Sequence, residues 1–162
     1  MPTSPIAPRA HPLLGCRNHD APRESRRGVM LHYDDSATDV GAVSWFTHPD
    51  CRVSYNYLVL DDGSWVPLVP EGARAWHAGV CAPSDPARLA YADANSEFVG
   101  IAVATNDRVP ATAAQVDTVV WLVRREFVRH GWAFAETWRI VGHEHEAVWP
   151  DTPQTPVSLR GR

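Results

Sequence analysis

Two histidines and one aspartate stand where predicted strands give way to loops. His32 lies near the end of the apolar run GVMLHY, and His143 directly follows RIVG. Asp151 comes eight residues after His143, within the proline-bounded segment WPDTP. Two imidazoles and one carboxylate suit Zn²⁺ and leave a fourth position open for water. A zinc ion held in this way polarises a carbonyl group and makes hydroxide available near neutral pH.

Each of these residues also has a simpler structural interpretation. A histidine at a strand end is commonly a surface or hydrogen-bonded residue, and an aspartate between prolines commonly forms a turn. The segment HEHEA from His143 does not match the zinc-protease helix pattern, because Ala147 and Trp149 stand four residues after His143 and His145. Spacing alone therefore leaves both the zinc site and the structural interpretation open.

Short apolar segments predict the strands that position these residues. We expect buried strands at GVMLHY from Gly28, at FVGIAVAT from Phe98 and at WRIVGH. The segment from Val53 to Val69 predicts a β-hairpin with its turn at Asp62-Gly63. Residues 80–96 are typical of a long loop with one helical turn.

Two helices are predicted between the strands. Thr38 is a candidate N-cap, followed by Val40, Val43 and Phe46 at helical spacing. A longer helix begins with a capping box at Thr112 and Gln115 and ends near Gly131. Its apolar stripe is predicted to contain Val116, Val120, Val123 and Phe127. Strands interleaved with helices predict an α/β fold, a single domain with a central mixed β-sheet flanked by helices.

Composition limits the class of protein. A chain of 162 residues with 44% hydrophobic residues is sufficient for one domain, and a net charge of −4 gives no indication of nucleic-acid or membrane partners. The sequence has no signal-peptide pattern, so we expect synthesis in a cytoplasm. Residues 1–27 are predicted to form an irregular lead-in and residues 28–162 the functional domain. Cys16, Cys51 and Cys81 are expected to be reduced thiols.

An ordered set of motifs runs along most of the chain. It begins with VMLHYDDSAT, the hairpin VSYNYLVLDDGSWVPLV and AWHAG. It continues with NSEFVGIAVATND, a helix start that contains glutamine, and IVGHEHEAVWPDTP. This set, from about Gly28 to Pro153, resembles the type-2 N-acetylmuramoyl-L-alanine amidases, a family that includes phage amidase lysins and shares its fold with peptidoglycan recognition proteins. The resemblance implies the amidase-2/peptidoglycan recognition protein-like fold and bound Zn²⁺.

The resemblance implies a specific ligand set. His32 and His143 match the two histidine ligands of the family, and Asp151 falls where it has a cysteine or an aspartate. The ending PDTPQTP departs from the usual CPG or DPGP, which makes Glu144, His145 and Glu146 the alternatives to Asp151. Trp149 stands where the family often has a lysine or threonine that assists the oxyanion, and this departure is the main sequence argument against turnover.

The resemblance also implies a catalytic residue and substrate contacts. Tyr55 matches the tyrosine that lysins keep beside the zinc, and Ala102 replaces the glutamate that another branch uses directly after GI of its central strand. His77 and Trp76 of AWHAG are similar to substrate-groove residues. Asn95 is a candidate contact for the stem peptide, with a structural role in its loop as the alternative.

The implied reaction is hydrolysis of the lactyl–L-alanine amide of bacterial peptidoglycan. We expect a monomer that binds glycan strand and stem peptide and acts on the cell wall after membrane breach, as a phage or prophage endolysin. The alternatives are a non-catalytic peptidoglycan-binding domain and a cytoplasmic amidase that recycles muropeptides.

Overall fold

The computed structural model describes residues 7–21, 26–70, 72–106 and 108–143. Among them no helix is long and apolar enough to cross a membrane. The strands are β1 (His19–Asp20), β2 (Gly28–Tyr33), β3 (Tyr57–Val59), β4 (Trp65–Pro67), β5 (Arg74–Ala75), β6 (Phe98–Val103) and β7 (Ile140–Gly142). The helices are α1 (Asp39–Thr47), α2 (Ala94–Glu97) and α3 (Ala113–His130), with a 3₁₀ turn at Thr137–Arg139.

The central sheet has five strands in the order β4-β3-β6-β2-β7. Strand β6 is parallel to β3 and β2, and β2 is parallel to β7, whereas β4 pairs antiparallel with β3. This arrangement confirms the predicted α/β fold with a mixed sheet. Because β2 and β7 run in the same direction, the residues that follow them leave the sheet at the same edge, where α/β proteins commonly place their sites.

Local sequence signals set the boundaries of the hairpin and the helices. Gly63 has a φ of 79°, which the predicted turn between β3 and β4 requires. The Thr38 side chain accepts a hydrogen bond from the Gly41 amide at the start of α1. Helix α3 begins with the predicted capping box of Thr112 and Gln115 and ends at Gly131 in the left-handed conformation.

The predicted apolar stripes match the buried faces of the helices only in part, since Phe46 and Phe127 are buried but three of the valines are exposed. Val40 is 80% exposed, and Val116 and Val120 of α3 are 50% and 45% exposed. The buried positions of α3 are Gln115, Thr118, Leu122, Glu126 and Phe127. Two of the polar members bond to the loops beneath, since the Gln115 amide donates to Ala104 O and the Thr118 hydroxyl donates to Gly63 O. Carbonyl groups of the loops need hydrogen-bond donors, and this requirement determines which face of α3 is buried.

The described part of the lead-in, residues 7–21, packs on the sheet. The amides of His11, Leu14 and Cys16 donate to carbonyl groups of Trp65, Pro67 and Leu68, respectively. Strand β1 pairs antiparallel with β5. Cys16 is buried in the same core cluster as Cys51, and all three cysteines are free thiols. This segment is mostly irregular, yet its backbone extends the hydrogen-bonded edge of β4.

Candidate metal centre

His32 and His143 meet at the edge of the sheet where β2 and β7 end. In the parallel pair, Leu31 lies opposite Gly142, so the next residue of each strand is a histidine. The centroids of the two imidazole rings are 4.9 Å apart. His32 is 5% exposed and His143 is 6% exposed. The structure thus brings together the two histidines that the sequence predicted as metal ligands.

Tyr55 and His77 complete a buried cluster of rings around His32. The Tyr55 ring centroid is 4.9 Å from that of His32, and Phe46 of α1 packs edge-on against Tyr55 at 5.5 Å. The His77 ring centroid lies 5.0 Å from that of His32, with Nδ1 of His77 3.1 Å from Nε2 of His32. The predicted catalytic residue and one predicted substrate contact are therefore direct neighbours of the histidine pair.

The segment that follows β5 is fixed by Asn95. The Asn95 side-chain oxygen accepts hydrogen bonds from the amides of His77 and Ala78, at 2.8 and 2.7 Å. Asn95 is itself buried in the single turn of α2, where Asp93 caps its amide. Its observed contacts thus correspond to the structural alternative, and substrate binding by Asn95 stays a prediction.

Trp76 is half-buried and points to the opposite side of this segment. Its indole Nε1 donates to a carboxylate oxygen of Asp20 at 2.9 Å, and its amide donates to the Ser54 hydroxyl at 3.0 Å. The indole is therefore oriented by β1 and not by the histidine cluster. A substrate contact by Trp76 also stays a prediction.

Burial keeps the imidazoles of His32 and His77 neutral. Desolvation, followed by the nearby His77 and His143, holds the pKa of His32 well below its usual range. Desolvation, followed by the proximity of His143 and Arg26, lowers the pKa of His77 to about 3. Neutral imidazole is the form that ligates metals, so the site is set up for binding near neutral pH. Desolvation also raises the pKa of Tyr55, which keeps its phenol protonated.

The described residues fit two ligands of a zinc ion. Asp151 lies outside them, as do the alternatives Glu144, His145 and Glu146, so the third ligand stays a prediction. Within residues 7–21, 26–70, 72–106 and 108–143 there is no group of three metal-binding side chains arranged around one point. Nδ1 of His32 is buried and makes no hydrogen bond to that part of the chain. A buried nitrogen lone pair beside a second imidazole suits a metal ion.

Sequence reasoning missed the contact between His32 and His77 and the part played by Gly100. A Cβ atom at Gly100 would lie 2.7 Å from Cγ of His77, so the imidazole occupies the space beside this glycine of β6. A glycine within a strand pattern often marks such a close approach, and FVGIAV contained that signal. The contact itself depends on tertiary structure, because 45 residues separate the two histidines.

Comparison with known proteins places these features in a family. The model of the family described as N-acetylmuramoyl-L-alanine amidase matches residues 22–156. The chain is 24% identical over 140 residues to N-acetylmuramoyl-L-alanine amidase A of Achromobacter lyticus, covering 83% of this chain and 70% of the relative.

Two solved structures have the same fold. One is a selenomethionine derivative of AmpD, with a TM-score of 0.65 and 21% identity over 87% of this chain and 83% of AmpD. The other is the E. coli amidase AmiD in complex with anhydro-N-acetylmuramic acid-L-Ala-D-γ-Glu-L-Lys. It has a TM-score of 0.61 and 22% identity over 78% of this chain and 51% of AmiD.

Proposed function

Because the chain belongs to the N-acetylmuramoyl-L-alanine amidase family, we propose that it is a zinc-dependent endolysin that cleaves the lactyl–L-alanine amide of bacterial peptidoglycan. Family membership confirms the resemblance and the enzyme class predicted from the sequence. The zinc ion, the substrate contacts and the endolysin role form the proposal. The observation that carries it is the approach of the His32 and His143 rings to 4.9 Å beside Tyr55.

The proposed ligands are His32, His143 and Asp151. When bound, zinc would act as a Lewis acid on the scissile carbonyl and lower the pKa of water. Both histidines are buried, and the low pKa of His32 leaves it neutral and able to ligate. Burial also excludes bulk water, which strengthens electrostatic interactions with the reacting amide.

Tyr55 is proposed to donate a hydrogen bond to the oxygen that gains negative charge as the amide is attacked. Its ring is held between His32 and Phe46, so the phenol is oriented before substrate binds. Since burial raises the pKa of Tyr55, the phenol remains a donor at the pH of the reaction. In the hydrolysis, water adds to the carbonyl carbon and the C–N bond breaks. The departing amine of L-alanine takes up the proton that water loses, and the lactyl carboxylate remains on the sugar.

Peptidoglycan is proposed as the substrate on the basis of the relatives. The AmiD structure holds anhydro-N-acetylmuramic acid linked to L-Ala, and the Achromobacter relative is named for the same bond. For this chain, His77, Trp76 and Asn95 remain the proposed contacts to the muramyl and peptide groups.

The endolysin role is supported by the pair Tyr55 and Ala102. Ala102 lies opposite His32 in the register of β2 and β6 and is fully buried. The glutamate that another branch of the family carries directly after GI of its central strand would stand at this position. A methyl group here leaves the phenol of Tyr55 as the proposed hydrogen-bond donor beside His32, which is the lysin pattern.

The test is release of N-terminal alanine from purified sacculi. Wild type, a chelated sample, the chelated sample with zinc restored, and Asp151→Ala are compared, with Asp117→Ala as a matched control on the exposed face of α3. We expect release that chelation abolishes and zinc restores, that Asp151→Ala loses and that Asp117→Ala retains.

The same assay separates the alternatives. Retained binding to sacculi without release by zinc-loaded wild type would replace the amidase with a non-catalytic binding domain. Release from soluble anhydromuropeptides but not from intact sacculi would favour the recycling enzyme over the endolysin.

A further inference from the structure

The tautomer of His143 is defined by a backbone carbonyl. Nε2 of His143 lies 2.9 Å from the Ala78 oxygen. A carbonyl oxygen only accepts hydrogen bonds, so Nε2 of His143 carries the proton. In a neutral imidazole the lone pair that is available to a metal is then on Nδ1.

The tautomer of His32 depends on His77 in the same manner. Nε2 of His32 and Nδ1 of His77 are 3.1 Å apart, so one of them donates and the other accepts. Nδ1 of His32 is buried and makes no hydrogen bond to a described residue. For this nitrogen to ligate a metal, the proton of the neutral His32 ring must be on Nε2. Nδ1 of His77 must then accept the hydrogen bond that Nε2 of His32 donates.

Both acceptors come from one short stretch of backbone, residues 76–78, which is held from two sides. The side-chain oxygen of Asn95 accepts hydrogen bonds from the backbone amides of His77 and Ala78. Ser54 exchanges two hydrogen bonds with Trp76, each of 3.0 Å. These contacts fix the Ala78 carbonyl and the His77 ring relative to the ends of β2 and β7.

We propose that residues 76–78, the orienting segment, hold both metal-binding histidines in the Nε2–H tautomer and so present Nδ1 of each to zinc. His77 is a positioning residue in this arrangement, acting through His32. Hydrogen bonds to the far nitrogen of a ligating histidine fix its orientation and raise its basicity. The inference rests on the proposed zinc-dependent function and assigns His77 a role different from the predicted substrate contact.

Zinc affinity is the first measurement, made by competition with a chromogenic chelator. His77→Leu removes the acceptor, whereas His77→Asn retains an acceptor oxygen near the position of Nδ1. We expect His77→Leu to bind zinc about 10- to 100-fold more weakly and His77→Asn to lie within a few-fold of wild type. His48→Leu, at a half-exposed histidine beside Trp45, is the matched control and is expected to bind as wild type does.

The second measurement is made without metal or substrate. Long-range ¹H–¹⁵N NMR correlations of the metal-free wild type are expected to show His32 and His143 as Nε2–H tautomers. In His77→Leu, His32 is expected to lose its single tautomer while His143, bonded to Ala78 O, retains it. A variant that merely loosens the fold would change both histidines together.

The outcomes separate this inference from the function on which it rests. Suppose that wild type binds zinc and releases alanine, and that His77→Leu binds zinc equally tightly. This result would overturn the orienting role and leave the proposed function intact. An Nδ1–H tautomer of His32 in the metal-free protein would do the same, even where His77→Leu fails to fold. Wild type that binds no zinc would instead overturn the proposed function.

Discussion

Gly100 and His77 are packed so closely that no side chain fits between them. A Cβ atom on Gly100 would lie 2.7 Å from Cγ of His77 and 2.8 Å from its Cδ2. The imidazole therefore lies against the backbone of β6, from which its Nδ1 reaches Nε2 of His32. The absence of a side chain at one strand position thus sets the distance between two rings of the site.

Replacing Gly100 with alanine is expected to displace the His77 ring, because atoms at 2.7 Å overlap and β6 is hydrogen-bonded to a strand on each side. Overpacking of this kind costs about 1–3 kcal/mol in the free energy of unfolding, measured by urea denaturation. In a His77→Ala background the clashing ring is absent, so most of this cost should disappear. Equal costs in the two backgrounds would show that the strain at Gly100 has another source.

Tyr55→Phe is expected to lower kcat by about 100-fold, as loss of a transition-state hydrogen-bond donor does, with little change in KM. The ring stays between His32 and Phe46, so the melting temperature should change little. Steady-state rates of alanine release and thermal unfolding measure the two effects. A large rise in KM at constant kcat would instead make Tyr55 a substrate-binding residue.

Tyr57→Phe is the matched control for this experiment. The two tyrosines flank Asn56 in one segment, but the Tyr57 hydroxyl donates to Glu126 of α3, on the far side of the sheet from the histidines. This variant should lose about 1–3 kcal/mol of stability, since the buried Glu126 carboxylate loses one of its hydrogen-bond donors, and retain kcat. The strand pattern treats the two tyrosines alike, and only the family resemblance singled out Tyr55 from the sequence.

The parts of the fold that were predicted depend on local patterns. The capping box at Thr112 and Gln115 and the glycine at Gly131 act within one turn of α3, so the sequence is sufficient to locate them. The histidine pair could also be predicted from the sequence. Each histidine stands at the end of an apolar strand, and such ends meet at one edge of a parallel sheet.

The parts that were missed depend on contacts between distant segments. Val116 and Val120 were assigned to the buried stripe of α3, yet Gln115 and Thr118 are buried because carbonyl groups of Ala104 and Gly63 need donors. The tautomers of the histidines depend in the same way on residues 76–78. The spacing of hydrophobic residues carries no information about carbonyl groups of distant segments that need hydrogen-bond donors.

Arg26 links the segments that position the site. Its guanidinium donates to Phe98 O at 2.6 Å, to Ser96 O at 3.1 Å and to Ala73 O at 2.7 Å. Arg26→Met should therefore lower the free energy of unfolding by about 2–4 kcal/mol, since several carbonyls lose a charged donor at once. Urea denaturation measures this, with the exposed Arg88→Met as control. A loss as small as that of Arg88→Met would mean that water replaces the guanidinium.

Alkaline pH is expected to destabilise the protein through Tyr57. Burial, followed by the nearby charge of Glu126, raises the pKa of Tyr57 from 10 to about 12. Below pH 10 the folded and unfolded states both keep the phenol proton, so stability does not depend on it. Between pH 10 and 12 the unfolded chain releases the proton while the folded protein keeps it, and the free energy of unfolding falls.

The expected loss from Tyr57 is about 1 kcal/mol between pH 9 and pH 11, from the linkage relation for these two pKa values. Urea denaturation at pH 9, 10 and 11 measures it in wild type and in Tyr57→Phe. The variant should lose less stability over this range, although the raised pKa of Tyr55 leaves a residual decline in both proteins. Parallel declines would mean that Tyr57 titrates alike in the folded and unfolded chains, and that its bond to Glu126 does not retain the proton.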